Sequence, residues 1–283
     1  MENAFSTHAI VITGANSGIG AACAQLFGER GVPVIGTYRN EAKMNELLAT
    51  LDPERFVAVQ MDVADERSRR QAAERIAQVL EERGWQLYAV VNNAGIAVPG
   101  PMKYLPLAQL KEQFEVNLFG LVDFTQRMLP LLRPAGALRP RVLLMSSVAG
   151  LVAHPMLGAY SASKYAVEAI GDAWRIELKP FGIEFVLIEP GPIRTPIWKS
   201  FEVYIDQYRD TEYAPFLEKT ERVVQKMVRE ALPVERVAEV VYKACTRRKP
   251  KTRYLIARGA WMYRLMRFLP DRWKDAMFLK YAR

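Results

Sequence analysis

A doubly wound α/β fold on a parallel sheet follows from three features of the 283-residue chain. Short apolar runs rich in β-branched residues alternate with longer segments at helical spacing. A glycine-rich turn joins the first run to the first helical segment. Polar residues stand just past the ends of successive runs, where open parallel sheets keep their ligands. With 50% hydrophobic residues the chain can bury one large core, and it is read as one domain, 1–283.

The first run, residues 9–13, leads into Gly14-Ala15-Asn16-Ser17-Gly18-Ile19-Gly20 and a helix over 21–30. This is the opening of a Rossmann-type unit. Glycines let the backbone turn tightly and approach a pyrophosphate, whose charge is met by amides at the helix N-terminus. Gly14, Asn16, Ser17, Gly18, Ile19 and Gly20 are thus candidate cofactor residues. The second strand, 34–39, ends in Tyr38 and Arg39, where an adenosine ribose would lie. An acidic residue there would bond a 2′-hydroxyl, whereas an arginine fork suits a 2′-phosphate, so NADP(H) is favoured over NAD(H).

A third strand, 56–61, closes on Asp62-Val63, with Asp62 an acceptor for an adenine amine. A charged helix over 65–83 follows, then a fourth strand, 87–91, and Asn92-Asn93-Ala94-Gly95. Asn93 is placed to fix neighbouring backbone. From 105 to 132 apolar residues recur at helical spacing with Asn117 and Gly120 among them. An amide there needs a partner: it bonds a neighbouring main chain or belongs to a site.

The fifth strand, 141–145, closes with Ser146-Ser147, and a loop leads to Tyr160-Ser161-Ala162-Ser163-Lys164. Tyr and Lys four apart on a helix share a face. A cation beside a phenol, whose free pKa is about 10, stabilises the phenolate and makes Tyr160 a candidate general acid/base. That helix continues to 180, and a sixth strand, 183–188, ends in Glu189-Pro190-Gly191-Pro192-Ile193-Arg194-Thr195.

Residues 196–232 read as one or two amphipathic helices outside the sheet, a substrate lid. A helix over 233–245 and a last strand, 253–257, precede a basic helical extension, 259–283. There Trp261, Leu265, Phe268, Leu269, Trp273, Met277 and Phe278 alternate with Lys and Arg, with a break at Pro270. Residues 247–283 hold 12 Lys/Arg against two Asp, so the tail is +10 in a chain of net charge +8. That asymmetry argues against a nucleic-acid binder. It leaves three places for the tail: its own domain, a dimer mate, or an anionic membrane surface.

No uncharged apolar run approaches the ~20 residues of a membrane span, and the first eight residues do not resemble a signal peptide. Cys23 and Cys245 are too few for a disulfide framework and lack metal-ligand spacing. A cytoplasmic protein without metal, or one peripheral at a membrane surface, is expected.

In order and spacing, the Thr13–Gly20 turn, Asn92-Asn93-Ala94-Gly95, Asn117, Ser147, the Tyr160/Lys164 pair, and Pro190-Gly191 with Thr195 resemble the short-chain dehydrogenase/reductases over residues 9–258. The Arg253-Tyr254-Leu255 strand and the basic aromatic C-terminus are similar to the steroid and retinol dehydrogenase branch. The resemblance implies a catalytic tetrad of Asn117, Ser147, Tyr160 and Lys164. Tyr160 would exchange a proton with the reacting oxygen, and Ser147 would hydrogen-bond that oxygen. Lys164 would lower the phenol's pKa and hold the nicotinamide ribose, and Asn117 would anchor a water leading to solvent. Further cofactor contacts are implied at Val63, Ala94, Gly95, Pro190, Gly191, Ile193 and Thr195. Asn16 and Ser17 stand where NADP-dependent members often carry a basic residue, which leaves Arg39 as the principal 2′-phosphate ligand.

The loop 150–158, with His154, and the segment after Thr195, with Trp198, Phe201 and Tyr204, are expected to line the substrate pocket beside Ser147 and Tyr160. Their apolar content points to an apolar alcohol and its ketone or aldehyde: steroid-, retinoid- or otherwise lipid-like. Two alternatives are a 3-oxoacyl thioester reductase, whose basic tail would dock an acidic carrier, and a catalytically silent NADP-sensing or scaffold protein. The family resemblance also implies a homodimer or homotetramer.

Overall fold

The computed structural model describes residues 5–282, and within them the side chains other than those of 200–202 and 280–282. The seven strands are β1 (His8–Ile12), β2 (Val34–Tyr38), β3 (Phe56–Gln60), β4 (Gln86–Asn92), β5 (Arg141–Met145), β6 (Glu184–Pro190) and β7 (Arg253–Ile256). They form one sheet in the order β3-β2-β1-β4-β5-β6-β7, every neighbouring pair parallel. The chain therefore starts mid-sheet, winds outward to β3, then crosses back to β4 and winds the other way. That reversal opens a crevice between β1 and β4 at their C-terminal ends.

The helices are α1 (Gly18–Glu29), α2 (Glu41–Leu48), α3 (Glu66–Glu82), α4 (Leu107–Phe114), α5 (Gly120–Met128), α6 (Gly158–Glu177), α7 (Ile197–Ile205), α8 (Ala214–Glu230), α9 (Val234–Thr246), α10 (Ala260–Met266) and α11 (Asp271–Ala282). One face of the sheet packs against α1, α2 and α9, the other against α3, α5 and α6. The strands are apolar on both faces because both are covered: Ile10, Val11, Ile12, Val90 and Val91 are fully buried.

Two helical expectations change. The long helix over 105–132 is interrupted by a π-helical turn, Glu115–Phe119, between α4 and α5. Asn117 is fully buried there, and Gly120 lies so near the Val63 carbonyl that a Cβ would sit 2.1 Å from it. A regular apolar helix has no place for either contact. The segment 41–48, read as no element, is α2, capped by Asn40, whose side chain accepts from the Lys43 amide at 3.0 Å.

The tail folds back on its own chain. Met266 is buried with Leu151 and Val152, and Leu269 and Phe278 pack against the same group.

Candidate active site

The glycine turn places α1's N-terminus at the crevice. Gly14 and Gly18 have φ of +64° and +53°, and a Cβ on Gly20 would lie 2.2 Å from the Gly14 carbonyl oxygen. Asn93 does what its position predicts: its Nδ2 donates to the Thr13 carbonyl at 2.9 Å and to that of Gly14 at 3.3 Å. Thr13 Oγ1 accepts from the Asn93 and Ala94 amides, both at 2.9 Å, which locks the two strand ends together. Ser17 precedes α1 in an extended conformation and makes no side-chain cap. The helix's first amides thus keep their capacity for an anion, and this cradle fits a dinucleotide pyrophosphate.

At the far end of the crevice lie Tyr38, Arg39, Asp62 and Val63. Asp62 is partly a turn residue, since its Oδ1 accepts from the Ala64 amide at 3.0 Å; its Oδ2 faces Arg39 at 3.9 Å. Asn16 reaches across to the Asn40 carbonyl at 3.3 Å. Lys43, in the first turn of α2, also lines this end. Sequence reading missed it because α2 itself was missed.

Ser147, Tyr160 and Lys164 meet at the C-terminal end of β5, on the wall of one cleft of about 1080 Å³. The Ala149 amide donates to Ser147 Oγ at 3.1 Å, and Oγ in turn donates to the Pro190 carbonyl at 3.4 Å. Lys164 is buried. Its Nζ lies 5.7 Å from the centre of the Tyr160 ring and donates to the Met145 carbonyl at 2.7 Å.

Tyr160 opens to the cleft but is walled closely, and burial raises its pKa while a hydrogen bond with Ser147 opposes the rise. Lys164 sits over the ring, bonded to a carbonyl, and burial draws its own pKa down to about 8, with Glu168 opposing.

Asn117 is held behind these residues and does not line the cleft, and neither does Gly20. Asn117 Oδ1 accepts from the Ile96 amide at 2.9 Å, and its Nδ2 donates to the Ile96 carbonyl at 3.0 Å and to Ser163 Oγ at 3.1 Å. The amide thus staples the loop after β4 to α6. Ser163, whose hydroxyl also donates to the Tyr160 carbonyl at 2.8 Å, was passed over in the sequence although it stands three residues after Tyr160.

Pro190, Gly191, Ile193 and Thr195 line the cleft beyond the pair. Trp198 joins them, its Nε1 donating to the Ile193 carbonyl at 2.7 Å. His154 lines it too, edge-on to Phe278 at 5.4 Å, and burial lowers its pKa, which favours the neutral ring. Phe201, expected here, falls outside the described side chains, and Tyr204 does not line the cleft. The apolar end is completed by α8 with Phe216 and Met227, and by Met262, Tyr263 and Met266 of the tail.

Behind Lys164, Arg253 of β7 faces three carboxylates: Glu168 at 3.0 Å, Asp172 at 2.8 Å and Glu189 at 3.1 Å. Burial, followed by repulsion from Glu168, pushes Glu189 up to about 7. No cluster able to hold a metal ion is found among the described residues.

The family model described as short chain dehydrogenase matches residues 8–203. With the sheet and its crevice, this match defines a nicotinamide-dependent oxidoreductase. The chain is 40% identical over 275 residues to an NADPH-dependent 3-dehydrocapnine reductase of Ornithobacterium rhinotracheale, covering 95% of each. It is 30% identical over 244 residues to a 3-ketodihydrosphingosine reductase of Bacteroides thetaiotaomicron, covering 86% of each. A short-chain dehydrogenase of Streptomyces avermitilis superposes with a TM-score of 0.78 at 26% identity, over 97% of this chain and 96% of that one. The chain belongs to the short-chain dehydrogenase/reductase family.

Proposed function

We propose that the chain is an NADP(H)-dependent reductase of an apolar, lipid-like ketone, one domain in which residues 196–232 form the lid. The observation that carries this reading is that Ser147, Tyr160 and Lys164 share the wall of one cleft whose farther lining is apolar. Two relatives point the same way, one named for a 3-dehydro and one for a 3-keto substrate. The steroid ketones of the sequence reading fall inside this class, and a retinoid would enter as the corresponding aldehyde.

In the proposed chemistry a bound cofactor supplies the hydride. Ser147 Oγ and the Tyr160 hydroxyl converge on the carbonyl oxygen, and their two donors polarise it. Tyr160's raised pKa keeps the phenol protonated at neutral pH, the form a general acid needs. As the oxygen takes that proton, the Lys164 cation steadies the phenolate left behind, and its position suits a ribose hydroxyl as well. Asn117 holds the loop after β4 against α6 and so keeps Lys164 in register; the water-mediated exit drawn from the family resemblance would start from there. At the other end Arg39 and Lys43 supply charge for a 2′-phosphate. His154 and Trp198 contact the substrate's apolar body.

The catalytic residues stand together, which speaks against a silent scaffold. We read the assembly as a homodimer or homotetramer, with the outer side of the basic extension available for peripheral contact with a membrane. The test is NADPH oxidation by the purified chain with long-chain 3-ketones, steroid ketones, retinal and 3-oxoacyl thioesters. Turnover of the long-chain ketones, lost in Tyr160→Phe, is expected. No turnover with any carbonyl, or an unimpaired variant, overturns the reading.

A further inference from the structure

The C-terminal helix pair carries apolar side chains on two sides. Toward the protein, Met262, Met266 and Phe278 line the cleft's apolar end. Toward water, Trp261, Leu265 and Phe268 follow the i, i+4, i+7 spacing of one helical stripe along α10 and the turn after it. Trp261 is 69% exposed and Phe268 80%, and Trp273 of α11 joins them at 66%. Large aromatics left this open in so short a segment mark a surface that is covered in use.

The charges around the stripe say what covers it. Arg258, Arg264 and Arg272 are exposed among these residues, while Arg267 lines a hollow with Glu168 and Asp172. Of the nearby acids, Asp271 is bonded to Lys274 at 2.7 Å. A second copy seated by two-fold symmetry would set these arginines against each other. An anionic lipid surface meets them all at once, each adding about 1 kcal/mol near the headgroups, while Trp and Phe enter the acyl boundary. No helix among the described residues is long and apolar enough to cross a membrane, so the pair would lie on the surface rather than span it.

We propose that residues 258–279 dock the protein on an anionic lipid bilayer, and that a lipid-like ketone passes from the bilayer into the cleft alongside Met262, Met266 and Phe278. The docking half stands on the exposed face alone; the delivery half rests on the substrate class proposed above. The two surfaces are separated by about one helix diameter, roughly 10 Å, a span that an acyl chain covers.

The experiment uses the full chain, phosphatidylcholine vesicles with and without phosphatidylglycerol, and the double variant Trp261→Glu, Phe268→Glu, which alters neither cleft residue nor catalytic group. Wild type is expected to float with the anionic vesicles, with affinity falling about tenfold or more when the anionic lipid is omitted or salt is raised. The variant should fail to float, keep its rate on a short water-soluble ketone, and lose rate on a long-chain ketone embedded in vesicles. Flotation is read without any carbonyl, so a wrong substrate class leaves the binding result intact, and failed docking leaves soluble turnover intact. Equal flotation of both proteins, or none by wild type, overturns the docking. A wild-type dimer that the variant converts to monomer without any vesicle binding assigns the face to a second copy instead. Equal rates on the embedded ketone overturn the delivery route.

Discussion

Glu168 stands one helical turn beyond Lys164 on α6, and its carboxylate opposes the burial that draws the lysine's pKa down to about 8. In the proposed chemistry the lysine acts as a cation, so activity should be present below that pKa and lost above it. Glu168→Gln removes the opposing charge, and Lys164 should titrate lower still. The basic limb of the kcat/KM profile then moves to lower pH while the NADPH affinity at pH 6 changes little. A limb that stays in place, or moves upward, shows that the lysine does not set it.

Tyr160→Phe keeps the ring that packs beside Lys164 and removes only the hydroxyl bonded to Ser147. A lost general acid costs about 10³-fold or more in kcat. NADPH affinity, read by fluorescence titration, should be nearly unchanged. Ser147→Ala should fall by a smaller factor, about 10²-fold, because one of two donors to the oxygen remains.

Arg39 and Lys43 come from different elements, the end of β2 and the first turn of α2, yet both line the adenosine end of the cleft. Each single alanine variant should raise the KM for NADPH about tenfold and leave that for NADH in place, and the double variant should erase the preference. Equal losses with both cofactors would mean that these cations hold the ribose or adenine, not a 2′-phosphate.

Most of the sheet could be read from the sequence because parallel strands covered on both faces are apolar throughout. The expected fifth strand and β5 coincide, and the others differ by one or two residues at an end. That Ser147, Tyr160 and Lys164 come together could be read because Ser147 follows β5 and the other two lie in the first two turns of α6. What escaped depends on partners far along the chain. Helix α2 buries only Met44 and Leu47, too few for a periodic signal. The π-helical turn exists where Asn117 meets Ile96, a contact that no local pattern encodes. Glu168 and Asp172, four apart on a helix, look like a solvated face until Arg253 arrives from the last strand. The tail's inner face was open because which of its apolar residues meet Leu151 and Val152 depends on a loop over a hundred residues earlier.

Glu189 offers a test of that buried cluster through stability. Its carboxyl is raised from the usual range to about 7 in the folded chain, chiefly by burial and then by Glu168. The folded state therefore binds a proton more tightly than the unfolded one. The corresponding stability is fully present below the ordinary carboxyl pKa and is lost as pH rises through about 7. Glu189→Gln mimics the protonated form, so at pH 5 it should unfold at nearly the wild-type denaturant midpoint. At pH 8 the wild type carries the buried charge and the variant does not, and the variant should be more stable by about 2 kcal/mol. Arg253 works against this expectation, because its guanidinium stands 3.1 Å from Glu189 and favours the charged form. With Glu168 and Asp172 drawing on the same guanidinium, the third carboxylate is left under-compensated, and burial wins. A variant less stable than wild type at pH 8 would reverse that ranking and make Glu189 a charged partner of Arg253.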